Sequence, residues 1–492
     1  MKPMNNIEIP HNVLFAIQTL AKNNFEAFLV GGCVRDYLLN KTPKDWDIAT
    51  NAKPDEIIEV FNKENIKTLY ENDFGTVAVY IADTVLEITT YRIEGCYIDK
   101  RHPECINWTK NIEEDLKRRD FTINAMAMDV SRGTFEIIDL FHGQEDLKEK
   151  VIKTVGDAEE RFSEDALRML RAIRFATVLG DDWVIEQNTR NSIIKNKEWL
   201  IKISFERIRD ELIKIVMSPY AKKGVLLLKE TGLLHYIIPE LELGYDCMQN
   251  KHHVYDVFTH NLESLSFAVK KDFNIYVRVA ALLHDIAKPE TKSGKGENAT
   301  FYNHEIVGAQ MTKNVLNRLK FAKKDIDKIV NLVRYHLFYY TVEEVTESSI
   351  RRLIKNVGIE NMDDLIKLRM CDRIGSGCPK AEPYKLRHLK YLIEKVSKDP
   401  ISVKMLKIDG NAIMNILNIK PSKKIGLTLE ILLAEVLENP ELNNIDYLKD
   451  RVLILGSVED NELELLAAKS RDEINSIIKK EDNMTKEKYW LV

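Results

Sequence analysis

Asp45 and Asp47 stand two apart in the segment LVGGCVRDYLLNKTPKDWDIAT, a spacing that on a strand turns both carboxylates to one face. Two acids sharing a face repel, and a divalent cation removes the repulsion. Mg²⁺ held by one or two carboxylates together with substrate phosphates is the arrangement of polymerase-type sites. Gly31 and Gly32 come just before the helical run VRDYLL, where bare backbone N–H groups at a helix N-terminus approach a triphosphate. Glu87 in VLEITTYR is the candidate third carboxylate, from a neighbouring strand. Taken singly these are weak signs, since a Gly-Gly is most often a turn and paired acids are most often surface. Their order and spacing together carry the reading.

A sheet near the N-terminus must position these groups, and only the first third of the chain carries strand signals. These are Phe25 to Val30, then GTVAVYI and VLEITTYR, which read as a hairpin through Ala82-Asp83-Thr84. From about residue 160 the pattern is helical nearly throughout. Ser163 is the expected N-cap of a helix over ALRMLRAIRFATVL, with acids in its first turn, and SFERIRDELIKIV forms the next. Ser218-Pro219, Ile238-Pro239, the GCPKAEPY stretch and Asp399-Pro400 punctuate the remainder. The expectation is an α+β chain: a head over 10–155, an all-α neck over 156–245, a third unit over 246–379, a helical tail over 380–456 and an extension of open role over 457–492.

At 492 residues the chain has room for several ordinary cores, and 45% hydrophobic with 30% charged residues excludes a disordered or fibrous chain. The apolar runs are too short for a membrane span, and MKPMNNIEIP lacks the basic and apolar regions of a secretory leader, so neither membrane nor secretion is expected. Six cysteines, at 33, 96, 105, 247, 371 and 378, form no CxxC pair and are too few for a disulfide framework, which suits a reducing cytoplasm. The net charge of −5 says little about how charge is arranged. Lys380 to Lys407 hold eight basic and three acidic residues, a candidate basic face.

The motifs LVGGCVRDYLL, DWDIAT, EITTYR, YRIEGCYIDKRHP, RRDFTINAMAMD and EDALRMLRAIRFA, in this order, resemble the class II tRNA nucleotidyltransferases, or CCA-adding enzymes, and the related bacterial poly(A) polymerases. The resemblance implies a polymerase-β-like head in which Asp45 and Asp47 hold the catalytic Mg²⁺ beside Glu87. It also implies a nucleotide site built from Gly31, Gly32, Arg35, Arg118, Asp120, Asn124, Asp165, Arg168, Arg171 and Arg174. The implied partners are tRNA, CTP and ATP, and the implied reaction adds C, C and A to the tRNA 3′ end without a template. A poly(A) polymerase or an A-only enzyme shares nearly all these motifs, while the retained YIDKR loop argues against a CC-only type. Ile93 stands where a polar residue is commoner.

Glu164, Asp165 and Arg168 resemble the family's EDxxR motif, and residues 165 and 168 are three apart, neighbours on one helical face. Arginine only donates hydrogen bonds and an ionised aspartate only accepts them. Arg168 thus suits the ring-nitrogen acceptor of cytosine or adenine, and Asp165 the exocyclic amino donor. Guanine and uracil oppose acceptor to acceptor and donor to donor, at a cost of several kcal/mol in a dry site. The simpler reading of the pair is a surface ion pair at a helix start.

The series His260, His284-Asp285, His304, His336 and Asp372 resembles the HD phosphohydrolase superfamily. That resemblance implies a helical domain in which His260, His284, Asp285 and Asp372 hold a divalent metal, and His304 and His336 bind phosphate or a second ion. Imidazole with carboxylate suits Mn²⁺, Fe²⁺, Co²⁺, Ni²⁺ or Zn²⁺, and Mg²⁺ where carboxylates dominate; Mg²⁺, Mn²⁺, Co²⁺ or Ni²⁺ is expected here. In such enzymes an attached HD domain is associated with phosphodiesterase or phosphatase action on RNA ends, and an HD hydrolase of RNA ends is the rival from another class. The region LKIDGNAIMNILNIKPSKKIGLTLEILLAEVLENPELNNIDYLKDRV resembles the family's helical tail at the tRNA elbow. Asp409-Gly410-Asn411 and Lys423-Lys424-Ile425-Gly426 are its best-matching parts, and its lysines are expected to act through phosphates without sequence readout. The motifs leave the oligomeric state unknown.

Overall fold

A computed structural model describes residues 7–72, 75–95, 106–131, 135–250, 254–338, 340–342, 345–397 and 402–491. Most of the YIDKR loop, with Cys96 and Cys105, lies outside the described residues. The other four cysteines are free thiols. Among the described residues, no helix is long and apolar enough to cross a membrane.

The head is built on a mixed sheet. Its β1 (Ala27–Val30), β2 (Ile48–Thr50), β3 (Thr68–Asn72), β4 (Thr76–Ile81) and β5 (Thr84–Thr90) lie in the order β3-β4-β5-β2-β1, continued by the strands Met126–Asp129 and Glu136–Asp139. β4 and β5 form the expected hairpin, one residue tighter than read, because Thr84 already pairs with Ile81 and Ala82 turns the chain at φ 52°. In β5 the side chains of Leu86, Ile88 and Thr90 are buried while Val85 and Glu87 face out, the period of two of a strand with one wet face. β5 runs parallel to β2 with Ile88 opposite Ile48, which puts Glu87 level with the residue before β2, Asp47.

The head helices are α1 (His11–Lys22), α2 (Gly32–Leu38), α3 (Pro54–Lys63), α4 (Ile112–Lys117) and α5 (Gly143–Glu149). α1 and α3 bury Ile17, Leu20, Ile57 and Phe61. The neck follows as α6 (Ala158–Glu164), α7 (Leu167–Val178), α8 (Gln187–Asn196) and α9 (Phe205–Val216). Here the structure departs from the single helix expected to start at Ser163. Ser163 lies inside α6 with its hydroxyl bonded back to Glu160 O, and the N-cap is Asp157. The chain leaves the helix at Asp165 (φ −140°, ψ 104°) and re-enters it at Leu167. Asp165 favours the break because its carboxylate takes the Leu167 N–H at 3.0 Å, the local side-chain bond by which Asp competes with the helical ladder.

The chain divides into two compact units, residues 1–336 with 367–379, and residues 337–366 with 380–492. The unit expected over 246–379 is therefore interrupted in the middle. The first unit holds the head, the neck and the helices Val257–Lys270, Ile275–Leu283, His304–Arg318 and Lys323–Tyr335. In the second unit, Ile413, Leu432, Leu448, Val452, Leu463 and Ala467 share one core. Leu463 and Ala467 come from the 29-residue helix Asp460–Lys488, so the stretch set apart as an extension is part of that core. The basic excess over Lys380–Lys407 is partly neutralised inside the same unit, where Lys390 pairs with Glu382, and Lys395 with Glu347 and Asp482.

Candidate active site and metal centre

Asp45 and Asp47 sit in the segment that leads into β2, not on the strand as the spacing suggested, since β2 begins at Ile48. Asp47 still joins the ladder through its carbonyl, which accepts the Val30 N–H at 3.0 Å. Desolvation pushes the Asp47 carboxyl above the usual carboxylate range; Arg119 pulls it down and Asp45 pushes it up. Glu87 is raised too, by desolvation first and then by Glu71, Asp47 and Asp45. Carboxylates that raise one another in this way are a donor set suited to a divalent cation.

Gly31 caps α2 at φ 75°, and a Cβ there would stand 2.8 Å from Arg119 Nη1 and 4.0 Å from Asp47 Oδ2. Only glycine meets both the backbone angle and this close approach. Arg119 was not among the residues singled out from the sequence. Asp115, 1% exposed, holds it at 3.1 Å and holds Arg118 at 2.7 Å. Burial alone would raise the Asp115 carboxyl, but the two guanidiniums keep it below the usual range. The i,i+3 and i,i+4 spacing of Asp115 to Arg118 and Arg119 was the available signal.

A second chain of contacts joins head to neck. Arg35 Nη1 donates to Asn124 Oδ1 at 2.8 Å, Asn124 Nδ2 to Asp120 Oδ1 at 3.3 Å, and Arg171 Nε to Asp120 Oδ2 at 2.6 Å. Burial opposes ionisation of Asp120, but Arg171 and Arg168 hold its carboxyl low. The guanidiniums of Arg174, Arg35 and Arg171 lie 4.4, 5.3 and 5.5 Å from the Phe175 ring centre, within cation–π range. Buried Glu211 pairs with Arg174 at 3.2 Å.

Asp165 and Arg168 do not pair with each other, which removes the simpler reading of a helix-start ion pair. Asp165 is bound by Arg207 at 2.7 and 3.3 Å, and Arg168 by Glu164. With the helix broken between them, they are not on one helical face. Both nonetheless line one cleft of about 1180 Å³, together with Asp45, Asp47, Gly31, Gly32, Arg35, Arg118, Asp120, Asn124, Arg171 and Arg174. Glu87 is not among the residues lining it. Arg119, Phe175 and Arg207 line it too; Arg119 and Phe175 lie inside the motifs RRDFTINAMAMD and EDALRMLRAIRFA but were not singled out within them.

The histidines form a second, dry centre. His260 lies on the helix Val257–Lys270, His284 and Asp285 follow Ile275–Leu283, His304 opens the helix His304–Arg318 and His336 closes Lys323–Tyr335. Asp285 stands between two groups. Its Oδ2 is 3.1 Å from His260 Nε2 and 3.4 Å from His284 Nε2, and its Oδ1 is 3.4 Å from His304 Nε2 and 3.6 Å from His336 Nε2. Asp372 Oδ1 reaches the first pair at 3.5 and 3.8 Å. His284, His304 and His336 each donate Nδ1–H to the carbonyl three residues earlier, Ala281, Phe301 and Val333. A carbonyl only accepts, so each neutral ring presents a lone pair at Nε2. Burial pushes His284 down to about 3, which keeps it neutral near pH 7. Two buried triads meet the geometry for a shared ion: His260, His284 and Asp285, and Asp285, His304 and His336. This donor chemistry fits divalent cations. Lys288 Nζ, 2.6 Å from both Asp285 Oδ2 and Gln249 Oε1, is a further cation in the wall.

Residues 27–153 match the family model of the poly A polymerase head domain, residues 184–243 that of the probable RNA- and SrmB-binding site of polymerase A, and residues 257–366 that of the HD domain. A CCA-adding enzyme of Lactobacillus delbrueckii subsp. bulgaricus is 47% identical over 233 residues, 47% of this chain and 57% of that protein. One from Geobacillus thermodenitrificans is 46% identical over 229 residues, 46% of this chain and 54% of that protein. The chain thus spans little more than half the length of the curated relatives it matches. Among solved structures, the Bacillus stearothermophilus CCA-adding enzyme in complex with CTP shares 26% identity at a TM-score of 0.54, covering 90% of this chain and 98% of that one. The Thermotoga maritima CCA-adding enzyme complexed with tRNA shares the fold at 22% identity and a TM-score of 0.50, covering 90% and 94%. Residues 27–153 and 184–243 are thus similar to the head and RNA-binding regions of poly A polymerases, the matched relatives are CCA-adding enzymes, and residues 257–366 are similar to an HD domain.

Proposed function

We propose that the chain adds C, C and A to the 3′ end of tRNA from CTP and ATP without a nucleic-acid template, in the cytoplasm. The observation that carries this reading is the cleft in which the carboxylate pair, the Gly31 turn, the arginines and the Asp165–Arg168 segment meet. Relatives and a CTP-bound structure named as CCA-adding enzymes support it over a poly(A) or A-only polymerase.

Asp45 and Asp47, with Glu87 beside them, would hold Mg²⁺, which would supply Lewis-acid chemistry: offsetting the charge of the triphosphate and acidifying the attacking 3′-hydroxyl. Gly31 lets backbone and Arg119 approach the phosphates. Arg35, Arg171 and Arg174, ordered around Phe175, present charge to the nucleotide, and Arg118, Asp120 and Asn124 tie them to the head. Asp165, held by Arg207, accepts from the exocyclic amine of C or A, and Arg168 donates to the ring nitrogen. The cost of misplacing guanine or uracil against these two groups replaces a template strand.

The histidine centre supports a second activity: a divalent-metal-dependent phosphodiesterase or phosphatase for RNA ends such as a 2′,3′-cyclic phosphate. His260, His284, Asp285 and Asp372 hold one ion, of Mg²⁺, Mn²⁺, Co²⁺ or Ni²⁺, and His304 and His336 hold a phosphate or a second ion. The helices beyond residue 380 supply lysines for the tRNA backbone.

The test is incubation of the protein with tRNA lacking CCA, tRNA ending in CC and an unrelated RNA, each with CTP, ATP or both. The expected products are CC with CTP alone on the first, A with ATP on the second, and neither on the third. Long A tracts on all three would instead identify a poly(A) polymerase.

A further inference from the structure

The end of α4 is held from two sides. Within the head, Asp115 binds Arg118 and Arg119. From the neck, Arg161 Nη1 donates to the carbonyl of Lys117 at 3.2 Å, and Arg168 Nη2 to that of Arg118 at 3.1 Å. One carboxylate holds both neck guanidiniums, since Arg161 Nη2 meets Glu164 Oε1 at 2.5 Å and Arg168 meets Glu164 Oε2. These side chains are largely covered, Arg161 being 15% exposed, Glu164 19% and Arg168 11%. Cations on the last carbonyls of a helix satisfy orphan acceptors and complement the negative end of its dipole.

This cap matters because Arg118, Arg119 and Asp120 follow α4 directly. Holding the carbonyls of Lys117 and Arg118 fixes the backbone from which Arg119 reaches Gly31 and Asp47. Arg168 uses three of its five N–H donors here, Nη2 being bonded to Arg118 O, and Nη1 to Glu164 and to Arg161 O at 3.2 Å. Turning this guanidinium toward a base edge in the cleft loosens its hold on the end of α4. Arg161 has no such second duty. Glu164 can keep it in place when Arg168 turns away.

We propose that Arg161, held by Glu164, is a positioning residue for nucleotide addition: it keeps the end of α4, and through it Arg119, in place while Arg168 engages a base. The inference rests on the nucleotide-adding reading above. It separates two neighbouring arginines by phenotype, Arg168 governing which base is added and Arg161 how fast any base is added.

The experiment compares wild type with Arg161→Met, Arg161→Gln and Arg161→Lys, using tRNA lacking CCA and each of CTP, ATP, UTP and GTP. Rates are taken per folded enzyme, with the folded fraction read from thermal melting. For Arg161→Met, kcat falls about 10- to 100-fold, as misplacement at a distance from the chemistry can cost, while KM for CTP and the ratio of correct to incorrect base stay near wild type. Arg161→Gln retains a neutral NH₂ donor group and falls between, and Arg161→Lys recovers most of the rate. A kcat within about twofold of wild type in Arg161→Met and Arg161→Gln overturns the inference, because removing transition-state positioning must lower kcat. So does a shifted base ratio, which makes Arg161 a base reader. A wild type that adds no nucleotide at all overturns the functional reading itself, and the inference with it.

Discussion

The cleft and the histidine centre lie in the same compact unit and hold charge in opposite ways. In the cleft, Asp45 and Asp47 stand at the surface, and the arginines around them are shared among Asp115, Asp120, Asp165, Glu164 and Glu211. In the histidine centre, His260, His284, His304, His336 and Asp285 are buried, and the rings of His284, His304 and His336 are each oriented at Nδ1 by the carbonyl three residues earlier. The open site is a network of exchangeable ion pairs that a polyanionic nucleotide can rearrange. The closed one is a buried donor set whose Nε2 atoms converge on Asp285. The difference teaches that the first centre can choose among large ligands, whereas the second can only select for charge and coordination.

The largest way to break this comparison is at the carboxylate pair. Asp45→Ala or Asp47→Ala should lower nucleotide addition by about 10³-fold or more, because metal ligands act on the transition state. tRNA binding by filter retention and metal binding at the histidine centre should stay intact. Addition at near wild-type rate would show that the cleft works without them.

Next in size is base choice. Arg168→Ala removes a charged donor worth about 1.5–3 kcal/mol, so competition assays with CTP against UTP and ATP against GTP should show discrimination fall by about 10- to 100-fold. Unchanged discrimination would reduce Arg168 to a cap on α4.

Asp285→Asn sharpens the contrast from the other side. Since Asp285 serves both triads, calorimetric titration with Mn²⁺ should show affinity lowered by at least about tenfold at both, the scale on which even outer-shell losses act. His304→Ala should weaken only one of them. Addition of C and A by either variant should remain within about tenfold, a barrier change below about 1.4 kcal/mol.

The smallest effect is in acid. The folded carboxyls of Asp115 and Asp120 lie below their unfolded values, held there by guanidiniums against the cost of burial. Their stabilisation is therefore fully present above the unfolded carboxylate value of about 3.9 and is lost as the pH falls below it, with a slope of at most about 1.4 kcal/mol per pH unit for each group. Denaturant unfolding between pH 7 and 2.5 should show this limb, and Asp115→Asn should flatten it. A limb unaltered by that substitution would assign the acid loss elsewhere.

What was legible in the sequence was the chemistry carried by neighbours in the chain. Asp45 and Asp47, Gly31 and Gly32, and the adjacent His284 and Asp285 announce themselves because residue type and spacing suffice. The sheet of the head and the helices after it followed from periods of two and 3.6. Partnerships between distant residues left no such mark. Arg207 lies 42 residues from the Asp165 it binds, and Arg171 lies 51 from Asp120, so neither pair has a periodic signature. Helical spacing of residues 165 and 168 misled for the same reason: a side chain bonded out of register broke the helix between them. The helix Asp460–Lys488 looked like an extension because it is densely charged, but Leu463 and Ala467, one turn apart, enter the core with Ile474 packed against it, and Arg471 bonds Glu430.

The most direct test of the central claim is to sequence the 3′ ends of tRNA lacking CCA after incubation with an equimolar mixture of all four nucleoside triphosphates. A cleft that reads C and A by side chains predicts ends in CCA, with no further growth. Runs of A, or ends carrying U or G as often as C or A, would contradict it.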